Sequence, residues 1–386
     1  MSCPHLHAVA ADSIFDGSAV HRHAVVLIEG ERIASIGPRR ALPEHITVHE
    51  LPNGSWLAPG FIDVQVNGGG DLLFNDAPNS AAINRIIAAH RRYGTTGLLP
   101  TLISDTPQKM RVALDAVQSL LQNSGVLGIH FEGPFLSPAK PGIHDPSKLR
   151  LPAAADLALL SSSPTVKLVT LAPEEVPKGF IAELVKSGVR VALGHSTATY
   201  AQTKAALAEG LTGFTHLFNA MRPLGARDPG PIAAALECSG AWFGMIVDGV
   251  HVDPAMLRLA LRGSAHPMLV TDAMPPVGGS QQKFSLFGRN IEARGEVCIG
   301  DDGTLAGTAL GMAGAVRNCV DLLGVPITSA LGYASLQPAA FLGIDDRFGR
   351  IAAGYRADMV AFEPSNILVL GTFFAGIWEE RAPGPE

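Results

Sequence analysis

The stretch Gly128-Ile-His-Phe-Glu-Gly-Pro134 decides how this chain is read. It continues the apolar Val126-Leu127 and stops at Gly133-Pro134, through which a strand does not easily run. Alternate side chains of a strand share a face, so His130 and Glu132 point one way and Phe131 the other. A carboxylate at the end of an apolar strand is costly to bury unless it is paired, hydrogen-bonded or bound to a metal. Taken alone, Glu132 fits a solvated or salt-bridged strand end equally well. Three more apolar strands end in the same kind of residue: Val191-Ala-Leu-Gly-His195, Gly213-Phe-Thr-His216 and Met268-Leu-Val-Thr-Asp272. Glu, His, His and Asp at four strand ends are the parts of a hydrolytic metal site.

Outward from this stretch the chain alternates strand and helix. Strands are expected at Phe61–Asn67, Thr96–Thr101, Gly125–Glu132 and Val166–Leu171. Four more close at His195, His216, Val247 and Asp272. Amphipathic segments lie between them, at Ser80–Tyr93, Pro107–Gln122, Ala182–Lys186, Tyr200–Glu209 and Pro254–Arg262. Eight strands joined by helices is the count of a (β/α)8 barrel, whose active site lies at the carboxyl ends of its strands. All four suspected side chains sit at that end. The spacing after Asp272 predicts a strand pair over Phe284–Gly300 that covers the site, with turns at Gly288 and Gly295. Helices over Gly311–Leu323 and Ser329–Leu342 follow.

The two ends read differently. Val25–Glu29, Arg32–Ile36 and Thr47–Leu51 are short strands separated by Gly and Pro turns, and Gly349–Phe362 returns to strand character. The expected domains are therefore 1–57 with 352–386 as a small β-sandwich-like unit, and 58–351 as the barrel. The tail Arg381–Glu386 is expected to fray.

Composition narrows the class. Of 386 residues 47% are hydrophobic and 17% charged, which describes a well-buried core and not a disordered chain. A net charge of -6 with no basic stripe argues against nucleic acid as partner. Cys3, Cys238, Cys298 and Cys319 form no CxxC pair, which suits a reducing cytoplasm and offers no thiolate zinc site. No apolar run of about 18 residues predicts a membrane span, and the first residues do not read as a signal peptide.

Imidazole and carboxylate suit zinc or iron(II). Glu132, His195 and His216 as three ligands leave a position for water, the pattern of catalytic zinc. A metal there would make hydroxide available at pH 7, and Asp272 would be the general base, with a fourth-ligand role as the competing reading. His144, in Pro141-Gly-Ile-His-Asp-Pro146, could polarise a substrate carbonyl; as a lone loop histidine it reads equally as surface. Asn219, Arg227 and His251 lie on loops after the later strands and together suggest an anion, phosphate or carboxylate. His130 reads as a core or supporting group. His5, His7, His45, His49, His90, His266 and the His21-x-His23 pair read as structural or surface.

These residues fall in motifs that resemble the N-acetylglucosamine-6-phosphate deacetylase family of the amidohydrolase superfamily. The motifs are Pro59–Asp63, His130–Phe135, Gly194–Ser196, Thr215–Met221, Asp248–His251, Thr271–Met274 and Leu305–Thr308. Each is weak alone; seven in order across nearly the whole chain are specific. The resemblance implies a hydrolase that converts N-acetyl-D-glucosamine 6-phosphate to D-glucosamine 6-phosphate and acetate. It implies Glu132, His195 and His216 as metal ligands, Asp272 as acid/base and His144 at the carbonyl. Asn219, Ala220, Arg227, His251 and the run Leu305, Ala306, Gly307 and Thr308 carry over as substrate contacts. It implies one divalent metal per subunit, zinc with iron(II) as the alternative. It also implies a homodimer in which Arg227 and His251 reach the phosphate in the neighbouring site. Two-metal members carry His-x-His after the first strand, whereas this chain has Gln65 and Asn67, so a second metal is not expected. Thr308 stands where the pattern has serine.

Two rivals remain at this level. One is an amidohydrolase acting on another N-acyl or cyclic amide. The other is an inactive barrel used as a scaffold, against which the full set of Glu132, His195, His216 and Asp272 speaks.

Overall fold

Eight parallel strands form one sheet in sequence order, and its two ends come together to make a nearly closed barrel. The structure, a computed structural model, describes residues 6–121 and 124–381. Cys3, His5, the end of the second predicted helix and the tail beyond Arg381 lie outside the described residues. The barrel strands are Phe61–Val66, Thr95–Ile103, Ile129–Glu132, Val166–Leu171, Arg190–Leu193, Gly213–Phe214, Trp242–Met245 and His266–Leu269. The last three end earlier than their sequence suggests, and so does the fifth. Closure comes from the segment after the eighth strand. Asp272 N–H donates to Gln65 O (3.1 Å) and Asn67 N–H to Ala273 O (2.9 Å), with a parallel bridge between Val66 and Ala273.

The helices form because their apolar residues recur on one face and their starts are capped. In Ser80–Arg91 the buried residues include Ala82, Ile83, Ile86, Ile87 and Ala89, and the Asn79 side chain accepts from Ala82 N–H. In Pro107–Gln118, Thr106 caps, Pro107 starts the first turn, and Met110, Ala113, Leu114 and Val117 are buried. Each such Ile or Leu contributes about 1.5–3 kcal/mol by burial. Thr199 and Gln202 form a reciprocal capping box for Tyr200–Ala208.

Inside the barrel, Ile62, Val64, Leu99, Leu168, Ala192, Ile246, Met268 and Val270 pack into one apolar cluster. Phe341, from helix Leu336–Leu342, plugs its lower mouth. A Cβ on Gly213, at the start of the sixth strand, would lie 2.9 Å from the Phe341 ring, so only glycine fits there. The single helix read over Ser329–Leu342 is two, Ile327–Ala334 and Leu336–Leu342. Ser335, with φ -133 and ψ -67, lies outside the helical region, and its break admits Pro338 to the first turn of the second helix.

Strands from both chain ends build two further sheets. One pairs Arg32–Pro38, Ala24–Glu29, Leu6–Ala10 and Thr47–Glu50; the other runs from Ile377–Glu380 through Met359–Glu363 and Trp56–Pro59 to Val20–Arg22. They share a core of Val9, Ile14, Val26, Ile28, Leu57, Met359 and Phe373. The strand pair predicted over Phe284–Gly300 is a four-stranded antiparallel sheet, completed by Leu305–Thr308. That last strand is tied to the barrel rim: Thr308 N–H donates to Asp272 O (3.0 Å) and Met274 N–H to Thr308 O (2.9 Å). No helix among the described residues is long and apolar enough to cross a membrane.

Candidate active site

Where the barrel strands end, the backbone turns sharply and aims side chains at one point. His195, His216 and Asp272 have φ of 47°, 32° and 51°, the left-handed region that non-glycine residues rarely enter. Such backbone costs about 1–3 kcal/mol per residue and persists only where surroundings enforce it. Here they do: Asp272 is held through N–H and C=O by the first strand and by Thr308, and Ser196 N–H donates to Ala220 O (3.0 Å).

Glu132 Oε1, His195 Nε2 and His216 Nε2 form a near-equilateral triangle with edges of 3.3, 3.1 and 3.1 Å. Donors about 2.0 Å from a common tetrahedral centre stand roughly 3.3 Å apart, so the triangle has the size of one face of a zinc tetrahedron. All three side chains are buried, at 2–5% exposure. His195 Nδ1–H donates to Lys140 O (2.9 Å), which leaves the Nε2 lone pair facing inward. Burial alone would push the Glu132 carboxyl up, but the His195 and His216 rings against it hold it well below the usual carboxylate range. Burial likewise opposes charge on His216, yet the bond to Glu132 raises it. Three converging donors with a retained negative charge fit a divalent cation.

His144 is geometrically a rival donor, since its ligand atom lies within 4.8 Å of those of Glu132 and His195. Its hydrogen bonds argue otherwise. Nδ1 accepts from Ser104 N–H (3.3 Å) and faces Ser104 Oγ (2.8 Å), so the proton resides on Nε2. Burial, and then the neighbouring His195, push its pKa down to about 3, so the ring is neutral. A neutral ring with Nε2–H is a hydrogen-bond donor, not a ligand. The loop comes close because a Cβ on Gly142, at φ 56°, would lie only 3.0 Å from the His195 ring.

Asp272 is half-buried in the cleft wall, and burial followed by the Glu132 charge raises its pKa. Two amides reach it: Asn67 Nδ2 (2.6 Å) and Gln65 Nε2 (3.2 Å), both on Oδ1. His130 lies below the site and bonds to Thr101 Oγ1 (3.2 Å) and Thr170 Oγ1 (2.8 Å), a buried supporting position as the sequence reads it.

Glu132, His144, His195, His216 and Asp272 line one cleft of about 370 Å³. Asn219, Ala220, His251, Leu305 and Gly307 line it as well. The other expected contacts are elsewhere. Ala306 and Thr308 are buried behind the wall, Thr308 Oγ1 donating to Thr271 O (2.7 Å). Arg227 is exposed on a loop and lines no part of the cleft. His251, expected to serve a neighbouring subunit, lines the cleft of its own chain, its Nδ1 fixed by Asp248 Oδ2 at 2.5 Å. Sequence reading missed Thr304 in the wall and Ser104 behind His144; neither carries a motif of its own.

The family model described as the amidohydrolase family matches residues 56–382. This chain belongs to the amidohydrolase family. It is a hydrolase acting on carbon–nitrogen bonds. Among curated members, the N-acetylgalactosamine-6-phosphate deacetylase of Shewanella sp. (strain ANA-3) is 41% identical over 85% of this chain and 84% of its own. Among solved structures, the N-acetylglucosamine-6-phosphate deacetylase of Pasteurella multocida superposes with a TM-score of 0.94 at 32% identity, covering 97% of this chain and 100% of the other. A mutant of the Mycobacterium smegmatis N-acetyl-D-glucosamine-6-phosphate deacetylase, in complex with N-acetyl-D-glucosamine-6-phosphate, does so at 0.89 and 34%, covering 97% and 99%. As in the rest of this amidohydrolase chain, the barrel and the sheet built from both chain ends follow that architecture.

Proposed function

We propose that the protein hydrolyses the acetamide of N-acetyl-D-glucosamine 6-phosphate to D-glucosamine 6-phosphate and acetate. The observation that carries this is the 3.1–3.3 Å triangle of Glu132, His195 and His216, set in one cleft with Asp272 and His144. Relatives and solved structures named for this activity support the substrate class.

On this reading each residue has a role that the geometry supports. Glu132 Oε1, His195 Nε2 and His216 Nε2 hold one divalent cation, zinc by its donor set with iron(II) as the alternative. Bound there, it supplies Lewis acidity that brings the pKa of a water toward neutrality. Asp272 takes the proton of the attacking water and delivers it to the departing nitrogen, a role supported by its place in the same cleft as the ligand triangle. His144 Nε2–H donates to the acetyl oxygen as negative charge gathers on it. Asn219, His251 and the backbone near Ala220 and Leu305–Gly307 orient the sugar phosphate.

The finer assignments belong to the same reading. Arg227 lies outside its own chain's cleft, which supports a homodimer in which it reaches the phosphate of the partner site. Residues 1–57 with 352–386 would be one domain and 58–351 the catalytic one, in a cytoplasmic enzyme.

The 41% identity to a galactosamine-series deacetylase favours a second reading, in which the C4 epimer is the substrate. Acetate release from N-acetylglucosamine 6-phosphate, N-acetylgalactosamine 6-phosphate and unphosphorylated N-acetylglucosamine tests both. The first is expected to lead and the last to trail. Preference for the galactose series moves the assignment to the epimer, and no release from either phosphate rejects it.

A further inference from the structure

Gln65 and Asn67 occupy positions that the sequence reads only as the lack of a second metal site. Their amides are specifically bonded. Gln65 Nε2 donates to Glu132 Oε2 (3.2 Å) and to Asp272 Oδ1 (3.2 Å). Both partners are carboxylate oxygens, so the NH2 of Gln65 and not its C=O faces them, with one hydrogen for each. Asn67 Nδ2 donates to the same Asp272 Oδ1 at 2.6 Å. Both amides are buried, at 2% and 1% exposure, where charge-assisted hydrogen bonds are least weakened by water.

The arrangement selects one oxygen of each carboxylate for chemistry. Glu132 Oε2 is taken by Gln65, which leaves Oε1 at the vertex shared with His195 and His216. Asp272 Oδ1 receives two N–H donors, which leaves Oδ2 to carry the proton. Two carboxylates facing one site repel, and neutral amide donors stabilise both without a second cation. We propose that Gln65 is a positioning residue that ties the metal-holding Glu132 to the acid–base Asp272, while Asn67 positions Asp272 alone. Each amide acts through the carboxylate that it bonds. The inference deepens the deacetylase reading, on which its rate half rests; its metal half stands on the ligand triangle.

The two residues should therefore separate in experiment. Zinc affinity is measured by chelator competition on wild type, Gln65→Met and Asn67→Ala. Then kcat and KM are measured on N-acetylglucosamine 6-phosphate at saturating zinc. Gln65→Met should lose 10–100-fold in zinc affinity, the usual cost of removing a ligand's hydrogen-bond partner, and lose kcat as well. Asn67→Ala should keep wild-type zinc affinity and lose kcat alone, with KM little changed. Wild-type zinc affinity in Gln65→Met overturns the proposal. So does an equal zinc loss in both variants, the signature of a general packing defect. Should Gln65→Met not fold, Gln65→Asn, one methylene shorter, takes its place under the same criteria. A wild-type protein inactive on the sugar phosphate rejects the deacetylase reading, while the zinc competition still decides the role of Gln65.

Discussion

His195 Nε2 and His216 Nε2 face each other across 3.1 Å, and the ring proton of His195 is committed to the Lys140 carbonyl. Nitrogens that close repel unless positive charge lies between them. Glu132 Oε1 completes the triangle and adds a negative charge to it. The barrel thus uses backbone strain at His195 and His216 to hold together three donors that a divalent cation would reconcile.

Asp272→Asn should leave that triangle intact. The variant is expected to retain its metal and lose about 10²–10⁴ in kcat, the scale of acid–base catalysis. Metal analysis and kinetics on the same sample check it. Loss of the metal would make Asp272 chiefly a ligand.

His144→Gln separates donor from ligand. As a carbonyl donor, its replacement should cost about 10²–10³ in kcat at full metal content. Metal content falling with activity would instead place His144 in the coordination sphere, as its position within 4.8 Å of the Glu132 and His195 donors permits.

Asp63 offers a pH test away from the metal. It is buried, accepts from Thr271 Oγ1, Thr271 N–H and Gln65 N–H, and burial pushes its pKa up to about 7 from 3.8. With the folded pKa raised, the native state binds the proton more tightly than the unfolded chain. The group's contribution is therefore full below about pH 4 and is lost as pH rises toward 7. Asp63→Asn should gain in Tm relative to wild type between pH 5 and pH 8. A pH-independent difference would show that Asp63 does not titrate there.

Much of this was legible in the sequence. The count of eight strands and the placing of Glu132, His195, His216 and Asp272 at their ends follow from apolar runs that stop at chemistry-bearing residues. Strand ends were less legible, because His195, His216 and Asp272 lie in left-handed turns beyond the ladder, and the apolar pattern does not mark where pairing stops. The fourth strand of the covering sheet, Leu305–Thr308, was hidden because its register depends on Val297–Gly300. The bonds of Gln65 and Asn67 to two carboxylates were invisible for a similar reason. They join the first, third and eighth strands, which only closure of the barrel brings together.

Arg227 is exposed and lines no part of its own cleft, so its test is complementation. Inactive Asp272→Asn and Arg227→Ala proteins, mixed so that dimers reshuffle, should recover roughly a quarter of wild-type sites, because each mixed dimer holds one intact site. No recovery, with exchange confirmed, means that Arg227 does not act across an interface.

The proposed deacetylation requires one cation, held by Glu132, His195 and His216. The most direct measurement is a zinc titration of chelator-stripped protein, followed by acetate release from N-acetylglucosamine 6-phosphate. Expected are no turnover without metal and a linear rise that levels at one equivalent per chain. Full activity in protein shown to be metal-free, or a plateau only at two equivalents, would contradict it.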